Sequence, residues 1–288
     1  ELTQELRDPS GASLYEAWTR PKEKQGPASG VLPDEALVTK GIGSGSDHTV
    51  FINFLTRPVV EMSFDGPYGV YHSLYDDHFW MSRFGDPAFQ YHVLMADLWG
   101  CLALRLANAE ILPIDVEAYA AALRDFVRKL EDIPGRQDEL DLSDLIEKTR
   151  SLRGAGRRLN QRIHTALERA QLDEALADRT NRSLLAFEGN WANPTGIPGR
   201  PWFKHRLYAP RYTYAAMSLP GITEAAEARD WPRAREQAAL VARAIGVNTA
   251  LAEAAAKDLE AFGPRKGSLE AALRRIRDAL DGRMALYM

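Results

Sequence analysis

The side chains with the most capacity for chemistry lie in two short segments, Gly43-Ser44-Gly45-Ser46-Asp47-His48 and Tyr71-His72-Ser73-Leu74-Tyr75-Asp76-Asp77. His72 sits among aromatic and apolar residues, a setting in which a neutral imidazole serves as a zinc ligand or as a hydrogen-bonded structural residue. Asp76 and Asp77 follow one helical turn later. They can orient an imidazole from behind, or simply open a helix. The Gly43–Ser46 run ahead of a helix can offer backbone amides to an anion or a peptide, or act as a plain turn.

Several other chemistries are absent. No Lys-Ser or Lys-Thr follows the glycine run, so it is not a Walker loop, and it is not a dinucleotide-binding fingerprint either. His48, His78, His92, His164 and His205 are scattered, without a His-Glu-x-x-His pair or a Cys/His zinc framework. No Gly-x-Ser-x-Gly nucleophile elbow occurs. A zinc hydrolase needs three or more protein ligands and a carboxylate to activate water. Here His72 is the one good candidate ligand, which predicts a piece of an enzyme rather than a whole one.

The elements that must position these residues divide the chain in two. From Glu1 to about Asp86 the pattern is mixed and rich in Gly, Pro and Ser. Ser13 to Thr19 reads as a short helix, and Asp47 is suited to cap a helix from His48 to Leu55. Pro58 to Phe64 has the length and β-branched content of a strand. Loop, helix and strand in that order are typical of α/β enzymes, whose sites lie at strand ends.

From Pro87 onward the pattern is helical. Phe89 to Ala109 is apolar on nearly every face and predicts a buried central helix. Pro113 opens the next, with Val116, Leu123, Phe126 and Leu130 at helical spacing. A long amphipathic helix carries Leu142, Leu145, Leu152, Leu159 and Ile163 on one face, with Gly154 and Gly156 as possible bends. Arg182 to Phe187 begins a shorter segment. Trp231 to Lys257 is an alanine-rich helix suited to close helix–helix contact, and Ser268 to Leu280 reads as a last helix. Between them, residues 190–221 form an extended connection with Trp191, Trp202, Phe203, Tyr208, Tyr212 and Tyr214. A loop of that length is unusual inside a helical bundle and points to function.

Bulk composition narrows the classes. The 288 residues carry 36 basic and 40 acidic side chains, a net charge of −4, which gives no electrostatic case for nucleic acid or an anionic membrane surface. Cys101 is the lone cysteine, so no intrachain disulfide can form, and it reads as a small buried hydrophobe. The apolar stretch Val93–Leu106 contains Asp97 and Arg105 and is too short to span a bilayer. The chain opens at Glu1 with no Met, as expected of a processed, nicked or trimmed polypeptide. No targeting segment is visible.

Taken in order along the chain, the segments resemble the C-terminal part of the glutamate carboxypeptidase II and transferrin receptor family. The matching text is Ser13–Trp18, Gly43–Phe51, Gly66–Asp77, Asp86–His92, Leu106–Ala109, Arg200–His205, Tyr208–Pro210 and Leu219–Gly221, and it covers the chain to about residue 255. The resemblance implies a fold in which residues 1–86 are the end of an α/β zinc-peptidase domain. It implies that residues 87–288 are an all-α helical bundle that mediates homodimerisation, with the 190–221 loop reaching back to the active site.

The resemblance also implies roles. His72 matches the family's last zinc ligand, in a site that holds two zinc ions in the intact enzyme, and Tyr71 matches the tyrosine beside it that contacts peptide substrate. Gly45 and Ser46 match the loop lining the substrate cleft, and Asp47 an acidic residue buried near the site. Tyr214 matches a tyrosine in the pocket for the substrate's C-terminal residue. The general base and the remaining ligands fall in the N-terminal part of the same protein, so no catalytic residue and no peptidase activity are expected of this chain alone.

Departures bear on specificity. Thr213 stands where glutamate-specific members carry a lysine, Glu61 and Ser63 where they carry arginines, and Ser46 where they carry an asparagine. A strict preference for glutamate is therefore not implied, and an aminopeptidase fits as well as a carboxypeptidase. The family leans towards an extracytoplasmic location. The alternative is a receptor-like homologue that kept the bundle and lost the metal. A bare helical scaffold fits the mixed first part least.

Overall fold

The computed structural model describes residues 1–19, 45–64, 69–168, 172–211 and 215–261. Its described residues are mostly helical. In chain order they form α1 (Leu2–Glu5), α2 (Leu14–Thr19), α3 (His48–Asn53), α4 (His78–Trp80), a π-helical turn at Met81–Gly85, α5 (Gln90–Ala107), α6 (Val116–Glu131), α7 (Ser143–Glu168) and α8 (Glu174–Gly189). Then follow β1 (Tyr208–Pro210), β2 (Ala216–Ser218), α9 (Pro220–Glu227) and α10 (Trp231–Ala261).

Two compact units emerge, each discontinuous in sequence. One holds Glu1–Ile114 and Trp191–Asp230; the other holds Asp115–Asn190 and Trp231–Met288. The units divide at residues 114, 190 and 230.

The second unit is helical among its described residues. Asp115 caps α6, its carboxylate accepting from the Ala118 amide at 2.9 Å, so the helix starts three residues past the expected proline. The apolar spacing then buries Val116, Ala120, Leu123, Val127 and Leu130. Asp173 caps α8 in the same way through Leu176. Helix α7 packs against both α6 and α10, and α10 also against α8. Leu145, Leu152, Ala155 and Leu159 of α7 meet this core, as do Ala234, Ala238, Val241, Ala242 and Ile245 of α10. Each fully buried leucine contributes roughly 2–3 kcal/mol. Helix α7 runs unbroken through Gly154 and Gly156. Gly156 instead admits α6: a Cβ there would stand 2.7 Å from the Glu117 nitrogen and 2.8 Å from the Val116 carbonyl carbon. Asn248, fully buried on α10, donates to the Phe187 carbonyl at 3.1 Å and accepts from Asn190 at 2.7 Å, which joins α10 to the end of α8.

Helix α10 is long and apolar enough to cross a membrane by composition alone. Its buried Ala, Val and Ile positions face α7 and α8, which is the behaviour of a bundle core helix.

The first unit is more irregular. A small core of Leu14, Leu94 and Leu98 gathers Leu2, Leu6, Met62 and Met95 around it, and Glu5 of α1 pairs with Arg105 of α5. Three expectations fail here. Residues 58–64 form no strand, and the sole ladder among the described residues is the antiparallel ribbon Tyr208↔Ser218, Ala209↔Met217, Pro210↔Ala216. A strand persists only where its backbone groups find a neighbouring strand, and an α/β remnant is therefore not seen. Helix α5 buries only Leu94 and Leu98, leaving Val93, Trp99 and Leu104 exposed, so it is not the central buried helix its composition suggests. Cys101 on α5 is half-buried rather than buried. The segment Ser268–Leu280 lies outside the described residues.

Candidate functional site

Gly45 adopts φ 86°, a left-handed conformation that favours glycine, and turns the chain into α3. The Ser46 carbonyl accepts from the Thr49 amide at 3.0 Å, so Gly45, Ser46 and Asp47 stand exposed at the start of this short helix. Asp47 does not cap it. Its own backbone is already helical at φ −60°, ψ −24°, whereas a capping side chain folds back only from extended geometry. Nor is Asp47 buried, as the resemblance implied. The next side chain, His48, is buried, with Nδ1 3.4 Å from a carboxylate oxygen of Glu61.

Tyr71 and His72 stand on a second exposed turn, built on the Ser73 amide donating to Val70 at 2.9 Å and the Ser73 hydroxyl donating to the same carbonyl at 2.7 Å. His72 has φ 60°, uncommon for a residue with a Cβ. Its ring stacks on that of Tyr71, with centroids 3.9 Å apart and an interplanar angle of 18°. Thr56, Phe89, Leu219 and Arg229 share this left-handed geometry, so it does not by itself mark His72 as a ligand. Asp77 takes the modest role weighed for it: its carboxylate accepts from the Trp80 amide at 2.9 Å and caps α4.

A few residues on, Asp86 closes the N-terminus of α5. Its carboxylate accepts from the amides of Gln90, Tyr91 and His92 and contacts the His92 ring at 2.8 Å. Burial pushes its pKa up, but the His92 ring and the three amides outweigh it and hold it below the usual carboxylate range.

The 191–219 connection belongs to the same unit as these turns, and its folding is dictated by backbone accounting. Trp191 and Leu207 are fully buried. Asn193 donates its side-chain amide to the Gly196 carbonyl at 2.6 Å, and its backbone amide bonds Lys204 at 2.7 Å. His205, also fully buried, accepts from the Leu207 amide through Nδ1 at 3.0 Å, so that nitrogen carries no proton. The segment reaches α3 directly: the Lys204 amide donates to the Asn53 carbonyl at 2.7 Å, and the Phe54 and Phe203 rings lie 5.5 Å apart. β1 also touches α3. Thus the helix that begins at Gly45–Asp47 and the ribbon bearing residues 208–218 are brought together. Tyr214 lies outside the described residues, as do Thr213, Gly43 and Ser44. The amide of Arg211 bonds the Ala215 carbonyl at 2.7 Å, next to the Pro210↔Ala216 pair of the ribbon.

Sequence reasoning missed the arginine fasteners of this segment. Arg200 pairs with Glu224, and Arg211 with Glu227 at 2.5 Å, two acids one turn apart on α9. Nothing periodic flags them, because one partner of each pair lies in irregular chain. Burial raises the Glu224 pKa, against the opposing pull of Arg200.

Zinc fits this chain only in part. Among the described residues no three His, Cys, Asp or Glu side chains gather so as to hold a metal ion, and His72 alone does not make a zinc site.

Residues 140–252 match the transferrin receptor-like dimerisation domain. Over 256 residues the chain is 35% identical to a probable glutamate carboxypeptidase of Arabidopsis thaliana, covering 84% of this chain and 35% of the relative. It is 28% identical over 272 residues to an aminopeptidase of Rattus norvegicus, covering 90% of this chain and 36% of the relative. It is 25% identical over 224 residues to an inactive zinc metalloprotease of Schizosaccharomyces pombe, covering 73% of this chain and 28% of the relative. The chain therefore spans about a third of the length of the curated relatives it matches. With the dimerisation-domain match across most of its helical unit, and with relatives aligned over most of its length, this chain belongs to the glutamate carboxypeptidase II and transferrin receptor-like family.

Proposed function

We propose that this chain is the C-terminal part of a zinc-dependent exopeptidase, that it lacks peptidase activity alone, and that it homodimerises through its helical unit. In this reading residues 1–86 complete an α/β peptidase domain whose remaining strands pair with 58–64. Residues 87–288 form the dimerisation part. His72 supplies one ligand to a zinc whose other ligands, with the general base, lie in the rest of the protein. Gly45, Ser46, Tyr71 and Tyr214 contact a peptide substrate, and Asp47 stands close behind them.

One observation carries the reading. The 191–230 segment interrupts the helical unit in sequence, yet it belongs to the unit that holds Gly45–Asp47 and Tyr71–His72, and it bonds α3 through Lys204 and Asn53. A connection that only closed a bundle would have no reason to leave it. The first unit also exposes Leu74, Phe79, Phe84, Val93 and Leu104. That is the surface expected of a fold continued by further polypeptide.

Metal analysis of the full-length protein tests the proposal. About two zinc ions per subunit, reduced by His72→Ala together with loss of peptide hydrolysis, are expected of a two-metal hydrolase. A metal-free, inactive full-length protein would leave the second reading, a non-catalytic homologue, which the inactive yeast relative favours. Glu61 and Ser63 make a strict taste for acidic substrates unexpected, so the assay should include neutral and basic peptides.

A further inference from the structure

We propose that Arg200 is a positioning residue that fixes the spacing between the Tyr208–Pro210/Ala216–Ser218 ribbon and the Gly45–Asp47 turn. The inference rests on the peptidase reading above, in which that spacing shapes the substrate cleft.

Arg200 occupies a tight turn, its amide bonding the Ile197 carbonyl at 2.9 Å and its carbonyl accepting from Phe203 at 3.1 Å. One terminal guanidinium nitrogen donates to the Pro210 carbonyl, the last of β1, and the other to the Glu224 carboxylate on α9. The guanidinium plane lies over the Phe203 ring, 5.1 Å from its centroid. Phe203 in turn meets Phe54, and the next residue, Lys204, holds the Asn53 carbonyl at the end of α3. One side chain therefore touches the end of β1, the helix that follows β2, and the aromatic contact to α3. The second strand is pinned to α9 as well, since the Thr223 hydroxyl donates to the Ser218 carbonyl at 3.0 Å.

The chemistry of the group explains why it is arginine. A guanidinium presents several donors in a rigid plane and stacks on an aromatic ring at the same time. A lysine ammonium is a point charge that reaches either Pro210 or Glu224, but does not span both and does not stack. The Arg200 and Glu224 side chains are only 22% and 31% exposed, so water competes poorly for the pair. Arg200 needs no contact with substrate in this role, because it acts through the ribbon and α3.

The test uses the full-length protein as wild type, Arg200→Lys and Glu224→Gln. A misplacement of about an ångström at a binding surface is costly. We therefore expect Arg200→Lys to raise KM roughly fivefold or more while leaving kcat within about twofold, with zinc content and oligomeric state as in wild type. Amide exchange at Arg211 and Leu219, which report the two ends of the ribbon, should quicken. Glu224→Gln keeps one acceptor oxygen and the shape of the pair, so its KM should fall between the two. A purely structural role would lower kcat through a smaller active fraction at unchanged KM, and that result overturns the proposal, as does wild-type KM in Arg200→Lys. A wild-type protein without zinc or hydrolysis overturns the peptidase reading and this inference together. Active wild type with an unaltered Arg200→Lys overturns this inference alone.

Discussion

Gly156 presses against the backbone of Val116, leaving no room for a side chain between α7 and α6. The usual rule for a helix interior is that Gly→Ala stabilises by about 0.5–1 kcal/mol. Here the sign should reverse. Gly156→Ala should destabilise the chain by about 1–3 kcal/mol, since the obstructing atoms are mostly backbone and cannot step aside. Gly154→Ala, whose Cβ would meet only the Arg158 Nη1 at an ordinary 3.6 Å, is the internal control and should stabilise. Urea midpoints of the two variants decide the matter; a Gly156→Ala protein as stable as wild type would mean the helices lie farther apart.

Glu117 sits between Arg157, at 2.7 Å, and Arg153, at 3.4 Å. The Arg157 hydrogen bond chiefly, with both positive charges, holds its carboxyl below the ordinary glutamate value of 4.5. A carboxylate whose pKa is depressed by folding stabilises fully above that ordinary value, and the contribution fades as pH falls through the lowered one. Wild type should therefore melt above Glu117→Gln at neutral pH, and the gap should close in acid. It should also shrink with added salt, because the Arg157 side of the pair is exposed. Equal melting points at pH 7 in low salt would contradict this.

Val247 on α10 is 54% exposed, among exposed Arg243, Ala250 and Ala254. If the dimer forms on this face of the Trp231 helix, Val247→Asp should shift sedimentation from dimer to monomer without changing far-ultraviolet circular dichroism. An unshifted dimer would move the interface elsewhere on the unit.

Phe203 links the Phe54 ring to the Arg200 guanidinium. Phe203→Ala should cost about 2 kcal/mol, less than a fully buried phenylalanine would. The loss should appear as faster chymotryptic cleavage in residues 191–219, with the α6–α7 region unaffected.

Legibility in the sequence varied with how local the deciding contacts are. The leucines of α6 and α7 announce their helices by spacing alone, and Asp115 and Asp173 mark two starts by capping chemistry. Asp47 and residues 58–64 were misjudged because propensity speaks only for what a segment can do. Asp47 was already inside the helical turn, and the 58–64 segment has no ladder partner among the described residues. Helix α5 is apolar all round, which told of burial without telling by what. The Gly45–Asp47 and Tyr71–His72 turns were visible as chemistry-bearing text. The link of α3 to the ribbon segment through Lys204 and Asn53 was not, because a backbone hydrogen bond 151 positions apart leaves no trace in residue type.

The first unit's two-part makeup has a consequence for synthesis. Its Trp191–Asp230 part leaves the ribosome only after Asp115–Asn190 of the helical unit has already emerged. The Asn53 carbonyl and the neighbouring apolar face of α3 must therefore wait through more than a hundred residues of translation for Lys204 and β1. During that interval α6 and α7, whose contacts are close in sequence, can already pair. Completion of the first unit thus depends on a segment that follows α6, α7 and α8 in the chain. The amide of Lys204 and the ring of Phe203 therefore reach α3 last, so the first unit closes only when the chain returns to it.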